Sequence, residues 1–213
     1  SGRAPFPGEP GLVEGIQRSL SSGLLRATTD NAEAAKNADI IVVIVPMYVD
    51  DQGIPDYSIL ESVSRDIGSV LHAGQTVIYE TTLPVGATRS RLAPILTEVS
   101  GLKAGHDFHV VHSPERVFSG RVFADLKRYP KIIGGLTPSC GDIAKDFYQQ
   151  VLVFDDRPDL DRLNGVWDLG SVEAAEFAKL AETTYRDVNI ALANEFGDFA
   201  ERLNVDIHEI IDA

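Results

Sequence analysis

The sequence is poor in several features, and each shortage excludes a class of protein. Cys140 is the only cysteine among the 213 residues, so no disulfide can form within the chain, and a reducing, cytoplasmic setting fits best. The longest apolar run, Ile40–Val45, is far shorter than the roughly 20 residues that a bilayer-spanning helix needs. The first residues contain no apolar signal-peptide core. We therefore expect neither a membrane span nor export.

Basic residues are also scarce. The chain has 19 Lys and Arg against 32 Asp and Glu, which gives a formal net charge of −13. Such a field repels phosphate backbones and anionic lipid headgroups, so we expect no nucleic-acid partner and no membrane partner. The remaining composition, 44% hydrophobic and 24% charged, is typical of a soluble globular protein that can bury a substantial core.

Short β-rich segments alternate with helical ones along the first three quarters of the chain. The predicted strands are Ile40–Val45, which is apolar enough to be buried on both faces, Thr76–Glu80, His109–His112, Ile132–Ile133 and Val151–Phe154. The predicted helices run through 59–71, 90–99 and 142–150. This alternation predicts an α/β fold with a parallel, Rossmann-like sheet and ligands at the carboxyl ends of the strands. Those ends are Pro46, Thr81–Thr82 and Ser113–Glu115.

A long helix is predicted to follow the sheet, over Val172–Leu203, with Ser171 as its N-cap. The acidic stretch 155–171 before it contains Gly and Pro and predicts a linker. The chain would then divide into a sheet domain (1–154), the linker, and the long helix with the start of the next helix (172–213). Because the chain begins in a Pro/Gly-rich loop and ends inside a helical pattern at Ala213, we expect it to be a piece of a longer protein.

One face of the predicted long helix carries several residues that could contact a ligand or transfer a proton. Lys179, Thr183, Arg186, Ile190 and Asn194 fall within about 80° of one another on a helix of 3.6 residues per turn. Apolar neighbours surround Lys179, so a desolvated lysine that acts as a proton donor or an oxyanion partner is one interpretation. The other is a solvent-facing lysine paired with a nearby glutamate. Spacing alone favours the second.

Glu115, inside the segment SPERV, lies at a predicted strand end, where a carboxylate can meet a ligand. An ion pair with Arg116 or a lysine is an equal alternative. The turn Thr81–Gly86 offers hydroxyl and backbone N–H groups to a ligand, although a simple Pro/Gly turn is the commoner explanation.

Two further features do not indicate a metal site or a reactive thiol. His109 and His112 would face opposite sides of one strand, so with His106 they do not predict a metal site. Cys140 lies near a predicted helix start, where its pKa could fall, but a small, partly buried cysteine is more common.

Five segments, taken together, resemble the UDP-glucose/GDP-mannose dehydrogenase family in order and spacing. They are ADIIVVIVP (38–46), ETTLPVG (80–86), HSPERV (112–117), KIIGG (131–135) and EFAKLAETTYRDVNIALANE (176–195). The last segment and SPERV resemble the UDP-N-acetylmannosamine and UDP-N-acetylglucosamine 6-dehydrogenases more than the UDP-glucose branch.

The resemblance implies an enzyme that oxidises the C6 alcohol of a UDP-sugar to a carboxylate with two NAD, through a thioester on a cysteine. It casts Glu115 as the base that activates water, Lys179 as the oxyanion partner, and Thr82 as a residue near the nicotinamide and the reacting alcohol. Pro46 and Thr81 would lie with Thr82 on the cofactor side. The sugar pocket would be lined by Glu115, Arg116, Val117, Phe118 and Arg186.

The chain departs from the family pattern in several places. Thr183 stands where the family has an asparagine, and Val45–Tyr48 replaces its VPTP loop. No G-x-G-x-x-G turn and no Gly-Gly-x-Cys motif occurs in the sequence. The resemblance places two further strands between Leu24–Thr28 and Ile40–Val45, so without them the latter strand would have an open edge.

A different class of function also fits the sequence. Phe196, Phe199, Ala200 and Leu203 give the long helix a second apolar surface that a second copy of the chain could bury. The alternative to an enzyme is therefore a non-catalytic assembly or regulatory module that dimerises through this helix. We expect the enzyme, too, to be a homodimer through the long helix.

Overall fold

The computed structural model describes residues 4–6 and 8–212, so the predicted chain ends at Ser1 and Ala213 lie outside the described residues. Eight α-helices are present in that part of the chain: α1 (Leu12–Ser21), α2 (Asn31–Ala35), α3 (Ser58–Gly68), α4 (Ala93–Ser100), α5 (Val122–Arg128), α6 (Pro138–Val151), α7 (Val172–Arg202) and α8 (Ile207–Ile211). A π-helical turn, Thr88–Leu92, leads into α4.

Seven strands are found in the same part of the chain: β1 (Ile40–Val43), β2 (Tyr48–Val49), β3 (Pro55–Asp56), β4 (Thr76–Tyr79), β5 (His109–His112), β6 (Lys131–Gly135) and β7 (Val166–Asp168). Five of them form the main sheet in the order β1-β4-β5-β6-β7, and β2 pairs with β3 in a small hairpin. The predicted α/β, Rossmann-like fold with a long helix after the sheet is confirmed.

Apolar side chains cover both faces of the main sheet. Val77, Tyr79 and Val110 pack on one face with α3 and α4, whereas Ile78 and Val111 pack on the other with α6. This arrangement follows from the period of two along each strand, which turns neighbouring side chains to opposite faces. The central strands are therefore buried on both sides, and their carboxyl ends are left free to carry the site.

The predicted parallel sheet contains one antiparallel pair of strands. β5 and β6 run antiparallel, with Val111 opposite Gly135 and His112 opposite Gly134, while the other pairs of the main sheet are parallel. The chain between β5 and β6 contains α5 but returns from the same end of the sheet, as an antiparallel pair permits.

Two further element assignments are corrected. The segment 151–154 is the end of α6 and an extended connection, and not a strand. The fifth strand is instead Val166–Asp168, inside the stretch 155–171 that we interpreted as a linker. The end of that stretch thus belongs to the sheet, while the division of the chain at 154 and 171 stays a prediction.

β1 is the edge strand of the sheet and is not buried on both faces. Val42 is 39% exposed and Ile44 is 72% exposed, because β1 hydrogen-bonds only to β4 among the described residues. The segment 24–28 is not assigned to a strand. The open apolar edge implied by the family resemblance is therefore present in the structure.

The two glycines of the KIIGG segment are required by close packing. A Cβ atom on Gly134 would lie 1.9 Å from the carbonyl oxygen of Ser171, and one on Gly135 would lie 2.4 Å from the backbone nitrogen of Gly141. Because these neighbours are backbone atoms that cannot move aside, only glycine fits. The pair brings the starts of α6 and α7 directly against β6.

Ser171 is the N-cap of α7, as the sequence predicts. Its hydroxyl accepts a hydrogen bond from the backbone N–H of Ala174 at 3.2 Å. The residue at which α7 begins determines which of its side chains face the sheet. This matters because α7 carries the candidate residues Lys179, Thr183 and Arg186.

We expect Ser171→Ala to lower the free energy of unfolding by about 1 kcal/mol, since an N-terminal N–H of α7 loses its partner. Urea unfolding followed by circular dichroism measures this difference. Ser62→Ala, on the exposed surface of α3, is the control, and its effect should stay within about 0.5 kcal/mol. Equal effects of the two variants would contradict the capping role.

No helix in the described ranges 4–6 and 8–212 combines the length and the apolar character needed to cross a bilayer.

Candidate functional site

The candidate cofactor-side residues lie at the carboxyl ends of β1 and β4. Thr82 is exposed, as is Pro46 beyond β1. The hydroxyl of Thr81 donates to the carbonyl of Val45 at 2.6 Å, so this side chain ties the two strand ends together. Of the two threonines, only Thr82 therefore has a hydroxyl that is not used by the backbone of the neighbouring strand.

Glu115 follows the end of β5, and its side chain is exposed. Its carboxylate accepts a hydrogen bond from the N–H of Val117, while its own N–H donates to the carbonyl of Glu80 at 3.2 Å. The predicted alternative of an ion pair between Glu115 and Arg116 is not found. The carboxylate is thus oriented by its own loop and open to a ligand.

Lys179 connects α7 to this loop. Its Nζ donates to the backbone carbonyl of Glu115 at 2.6 Å, and the side chain is half-buried. Burial lowers the pKa of Lys179, and the neighbouring carboxylates of Glu115 and Glu182 oppose the shift. The lysine is thus only partly removed from solvent, and its ammonium is hydrogen-bonded to the backbone of the loop that carries the Glu115 carboxylate.

Thr183, one helical turn after Lys179, directs its hydroxyl into the helix. Its Oγ1 lies 2.8 Å from the carbonyl of Lys179 and 3.1 Å from that of Leu180. A threonine hydroxyl that donates to its own helix in this way has no proton left for a ligand. The asparagine that the family has at this position is longer and has two amide donors.

Arg116 and Arg186 are both held by other side chains. The guanidinium of Arg116 makes a two-pronged pair with Glu182, at 2.6 and 2.8 Å, and also donates to the carbonyl of Pro130. Arg186 lies with its guanidinium carbon 5.0 Å from the centroid of the Phe118 ring. The loop from Glu115 to Phe118 is thus fixed to α7, and its role in sugar binding stays a prediction.

Four acidic or basic residues of α7, spaced three apart, contact the strand-end loops; we call them the α7 row. Glu173 pairs with Arg89, Glu176 accepts from backbone N–H groups at Gly86 and Thr88, Lys179 donates to the Glu115 carbonyl, and Glu182 pairs with Arg116. Consecutive members of the row are neighbours on the helix surface, and the four together wind around about half of its circumference. Glu176, Lys179 and Glu182 therefore join the turn after β4 to the loop after β5.

The predicted stripe on α7 is only partly brought to the site. Lys179, Thr183 and Arg186 lie near the Glu115 loop, but Ile190 and Asn194 are exposed beyond the sheet. They are carried past the end of the fold because α7 is 31 residues long.

Sequence analysis missed a buried polar cluster behind the Glu115 loop. Oε1 of Glu80 accepts from the Lys131 ammonium at 2.5 Å and from the Tyr148 hydroxyl at 2.6 Å. Burial, followed by the adjacent Glu80 carboxylate, raises the pKa of Tyr148. A cavity of about 230 Å³ extends from this cluster to Glu115 and Arg116. The sign of this cluster in the sequence was Lys131, a charged residue directly beside the apolar segment Ile132–Ile133.

Glu9 and Glu176 were also missed. The carboxylate of Glu9 accepts from the N–H groups of Gly120 and Val122, both at 2.7 Å, and so holds the chain that follows Phe118. Glu176 is fully buried although it is an acid. Its position one turn before Lys179 was the only signal, since its partners lie about 90 residues earlier in the chain.

His112 and Cys140 are both buried in the core. Burial, with a smaller contribution from the charge of Lys131, lowers the pKa of His112 to about 3, so the ring is neutral. Cys140 is fully buried, where a small, partly buried cysteine was predicted. Within the described residues no cluster of potential ligands is arranged to hold a metal ion.

Comparison with known proteins identifies relatives of the whole chain. The model of the UDP-glucose/GDP-mannose dehydrogenase family, NAD binding domain, matches residues 2–152, and that of the family's central domain matches residues 173–213. A UDP-N-acetyl-D-mannosamine dehydrogenase of Pyrococcus horikoshii is 36% identical over 206 residues, which is 96% of this chain and 46% of that protein. A UDP-N-acetyl-D-glucosamine 6-dehydrogenase of Salmonella typhi is 33% identical, over 94% of this chain and 45% of that protein.

Solved structures agree with these relatives. The UDP-D-ManNAc dehydrogenase structure from Pyrococcus horikoshii superposes with a TM-score of 0.87 at 35% identity, over 100% of this chain and 47% of that one. A ternary complex of GDP-mannose dehydrogenase from Pseudomonas aeruginosa gives a TM-score of 0.86 at 28% identity, over 99% of this chain and 46% of that one. The chain spans about half the length of the relatives it matches. It belongs to the UDP-glucose/GDP-mannose dehydrogenase family: strands β1 to β6 lie in the part that matches the NAD-binding domain, and nearly all of α7 lies in the part that matches the central domain.

Proposed function

We propose that this chain supplies the cofactor side and the acyl-hydrolysis groups of an NAD-dependent UDP-N-acetylhexosamine 6-dehydrogenase. The observation that carries the proposal is the 2.6 Å hydrogen bond from Lys179 Nζ to the Glu115 carbonyl. It holds a half-buried ammonium on the loop that carries the Glu115 carboxylate. The relatives named as UDP-N-acetylmannosamine and UDP-N-acetylglucosamine dehydrogenases support the substrate class.

The residues present fit NAD at its nicotinamide end. The exposed Thr82 hydroxyl and the exposed Pro46 lie at the carboxyl ends of two parallel strands, where α/β sheets bind ligands. When bound, NAD would supply the hydride acceptor. Thr82 would orient the substrate alcohol against it, and Thr81 would keep the two strand ends in register through its bond to Val45.

Glu115 and Lys179 would act in the later half of the reaction. Attack of water on an acyl group held on a cysteine requires a base that takes the water proton and a cation that stabilises the tetrahedral oxyanion. The Glu115 carboxylate would accept that proton, and Lys179 would stabilise the oxyanion. The bond between the acyl carbon and sulfur then breaks, which releases the uronate and the thiol.

The direct test uses a protein that contains this chain together with a Gly-Gly-x-Cys motif. The purified protein is mixed with NAD and, in separate samples, with UDP-N-acetylmannosamine, UDP-N-acetylglucosamine and UDP-glucose. We expect NADH formation and a uronate product with one of the two N-acetylated sugars. Turnover with UDP-glucose alone would contradict the substrate class, and no turnover with any sugar would favour the assembly module.

A homodimer through α7 is supported by one specific observation. Phe196, Phe199 and Leu203 are 58%, 61% and 58% exposed on the half of α7 that extends beyond the sheet. Ala200, which we predicted on the same surface, is instead buried. Three large apolar side chains on one helix face form a patch that a second copy can cover. Light scattering of wild type and Phe199→Glu tests the assembly, because only the variant should be monomeric.

We expect Thr183→Asn, in the whole protein, to raise kcat by a factor on the order of 100 with little change in KM. The threonine hydroxyl is bonded within the helix, whereas asparagine at this position can add an amide donor to the oxyanion, and one preorganised donor is worth on the order of 3 kcal/mol. Thr184→Asn, on the exposed neighbouring position, is the control. A lower kcat in Thr183→Asn would show that the threonine is adapted to its own site.

A further inference from the structure

Glu176 is a fully buried acid whose carboxylate is used entirely by the turn after β4. Its Oε2 accepts the N–H of Gly86 at 2.5 Å, and its Oε1 accepts the N–H of Thr88 at 2.8 Å. These two N–H groups begin the helical segment that continues through α4. A carboxylate at this place is favoured by the free N–H groups and by the helix dipole.

The turn that Glu176 holds is the one that carries Thr82. Leu83 is buried, and the N–H of Ala87 donates to the carbonyl of Pro84 at 3.1 Å, so the segment from Thr82 to Gly86 is short and closed. A displacement of Gly86 would therefore be transmitted to Thr82. On the other side, Glu176 lies one helical turn before Lys179, which is bonded to the Glu115 carbonyl.

We propose that Glu176 is a positioning residue that fixes the Thr82 turn to the helical turn presenting Lys179, so that hydride transfer and acyl hydrolysis take place in one rigid frame. The inference rests on the proposed function. Without Glu176 the Thr82 turn and α7 would still be connected through the Arg89–Glu173 ion pair, but both of those side chains are partly exposed. A surface pair of this kind contributes little rigidity.

Glutamine at position 176 keeps the size of the side chain but has only one acceptor oxygen. Its amide group would face an N–H donor, so one of the two bonds must break and the turn must shift. A shift of about 1 Å at a reacting group can cost a factor of about 100 in rate. Glu173→Gln is the matched control because it removes a charge from the same helix, one turn earlier, and its carboxylate pairs with Arg89 and accepts neither of the N–H groups that Glu176 holds.

Two measurements test the inference in the whole protein. Hydrogen exchange in the segment 82–92 should be at least about tenfold faster in Glu176→Gln than in wild type and in Glu173→Gln. The rate of the first hydride transfer should fall at least about tenfold, with a larger isotope effect for substrate deuterated at C6, while Glu173→Gln stays within about twofold of wild type. If the glutamine variant does not fold, Glu176→Asp, which keeps the charge but has a shorter reach, undergoes the same comparison.

Exchange and isotope effect in Glu176→Gln (or in the aspartate variant) equal to those of Glu173→Gln would overturn the positioning role. That result is distinct from a failure of the proposed function. In the latter case the wild-type protein itself would produce no NADH with any of the UDP-sugars, whatever the exchange data show.

Discussion

Glu115→Gln should convert the whole protein from a steadily turning-over enzyme into one that stops after a single round. The amide cannot take a proton from water, so the acyl group formed on the cysteine is not hydrolysed, while the earlier oxidation does not use this side chain. We expect a burst of about two NADH per active site, followed by steady turnover lower by a factor of about 100 to 10,000. Stopped-flow absorbance measures both phases.

Glu98→Gln is the matched control for this variant. Glu98 is an exposed residue of α4 whose nearest partner, Arg65, lies 3.9 Å away at the surface. It should behave as wild type in both phases. If Glu115→Gln turned over as fast as this control, Glu115 would not be the base, and the proposed roles of the SPERV loop would have to be abandoned.

Lys179→Met should lower kcat by a factor of about 100 to 1,000. Methionine fills a similar volume but removes the ammonium, so the developing oxyanion loses its strongest donor. The Glu115 carbonyl also loses a bond, and the loop that carries the base is held less firmly. Lys145→Met, on the exposed face of α6, is the control and should leave kcat unchanged.

The pH dependence of the wild-type protein gives a second, independent test of Lys179. Because burial lowers the pKa of this lysine, its charged form, which the reaction needs, is lost at a lower pH than for an exposed lysine. The high-pH limb of kcat should therefore fall below the ordinary lysine range. In Lys179→Met this limb should disappear, and an unchanged limb would show that another group titrates there.

The class of fold could be predicted from the sequence, and so could the strand ends near which the candidate site residues lie. The apolar period of β4 and β5 and the length of α7 identify a sheet followed by a long helix, and strand ends in such a fold are where ligands bind. Ser171 was found because a cap is a local signal between neighbouring residues. Features that depend on local spacing were thus predictable.

Features that depend on contacts between residues far apart in the sequence could not be predicted. The apolar pattern of β6 is the same whether the strand runs parallel or antiparallel to β5, so the sequence does not indicate its direction. β7 has only three residues and lies within an acidic stretch. The burial of Glu176 depends on N–H groups at Gly86 and Thr88, far away in the chain. The partner of Arg116 proved to be Glu182 on α7 and not the adjacent Glu115. Only the three-dimensional arrangement shows that these pairs form one frame.

The intact mass of Glu115→Gln is the sharpest test of acyl hydrolysis by Glu115 and Lys179. It is measured after the variant is mixed with NAD and UDP-N-acetylhexosamine and rapidly quenched. We predict a protein heavier by one acyl-linked UDP-sugar, which persists in Glu115→Gln, is removed by hydroxylamine and does not accumulate in wild type. An unmodified protein in all samples, with NADH formed at the wild-type rate, would contradict the claim that Glu115 and Lys179 form the site of acyl hydrolysis.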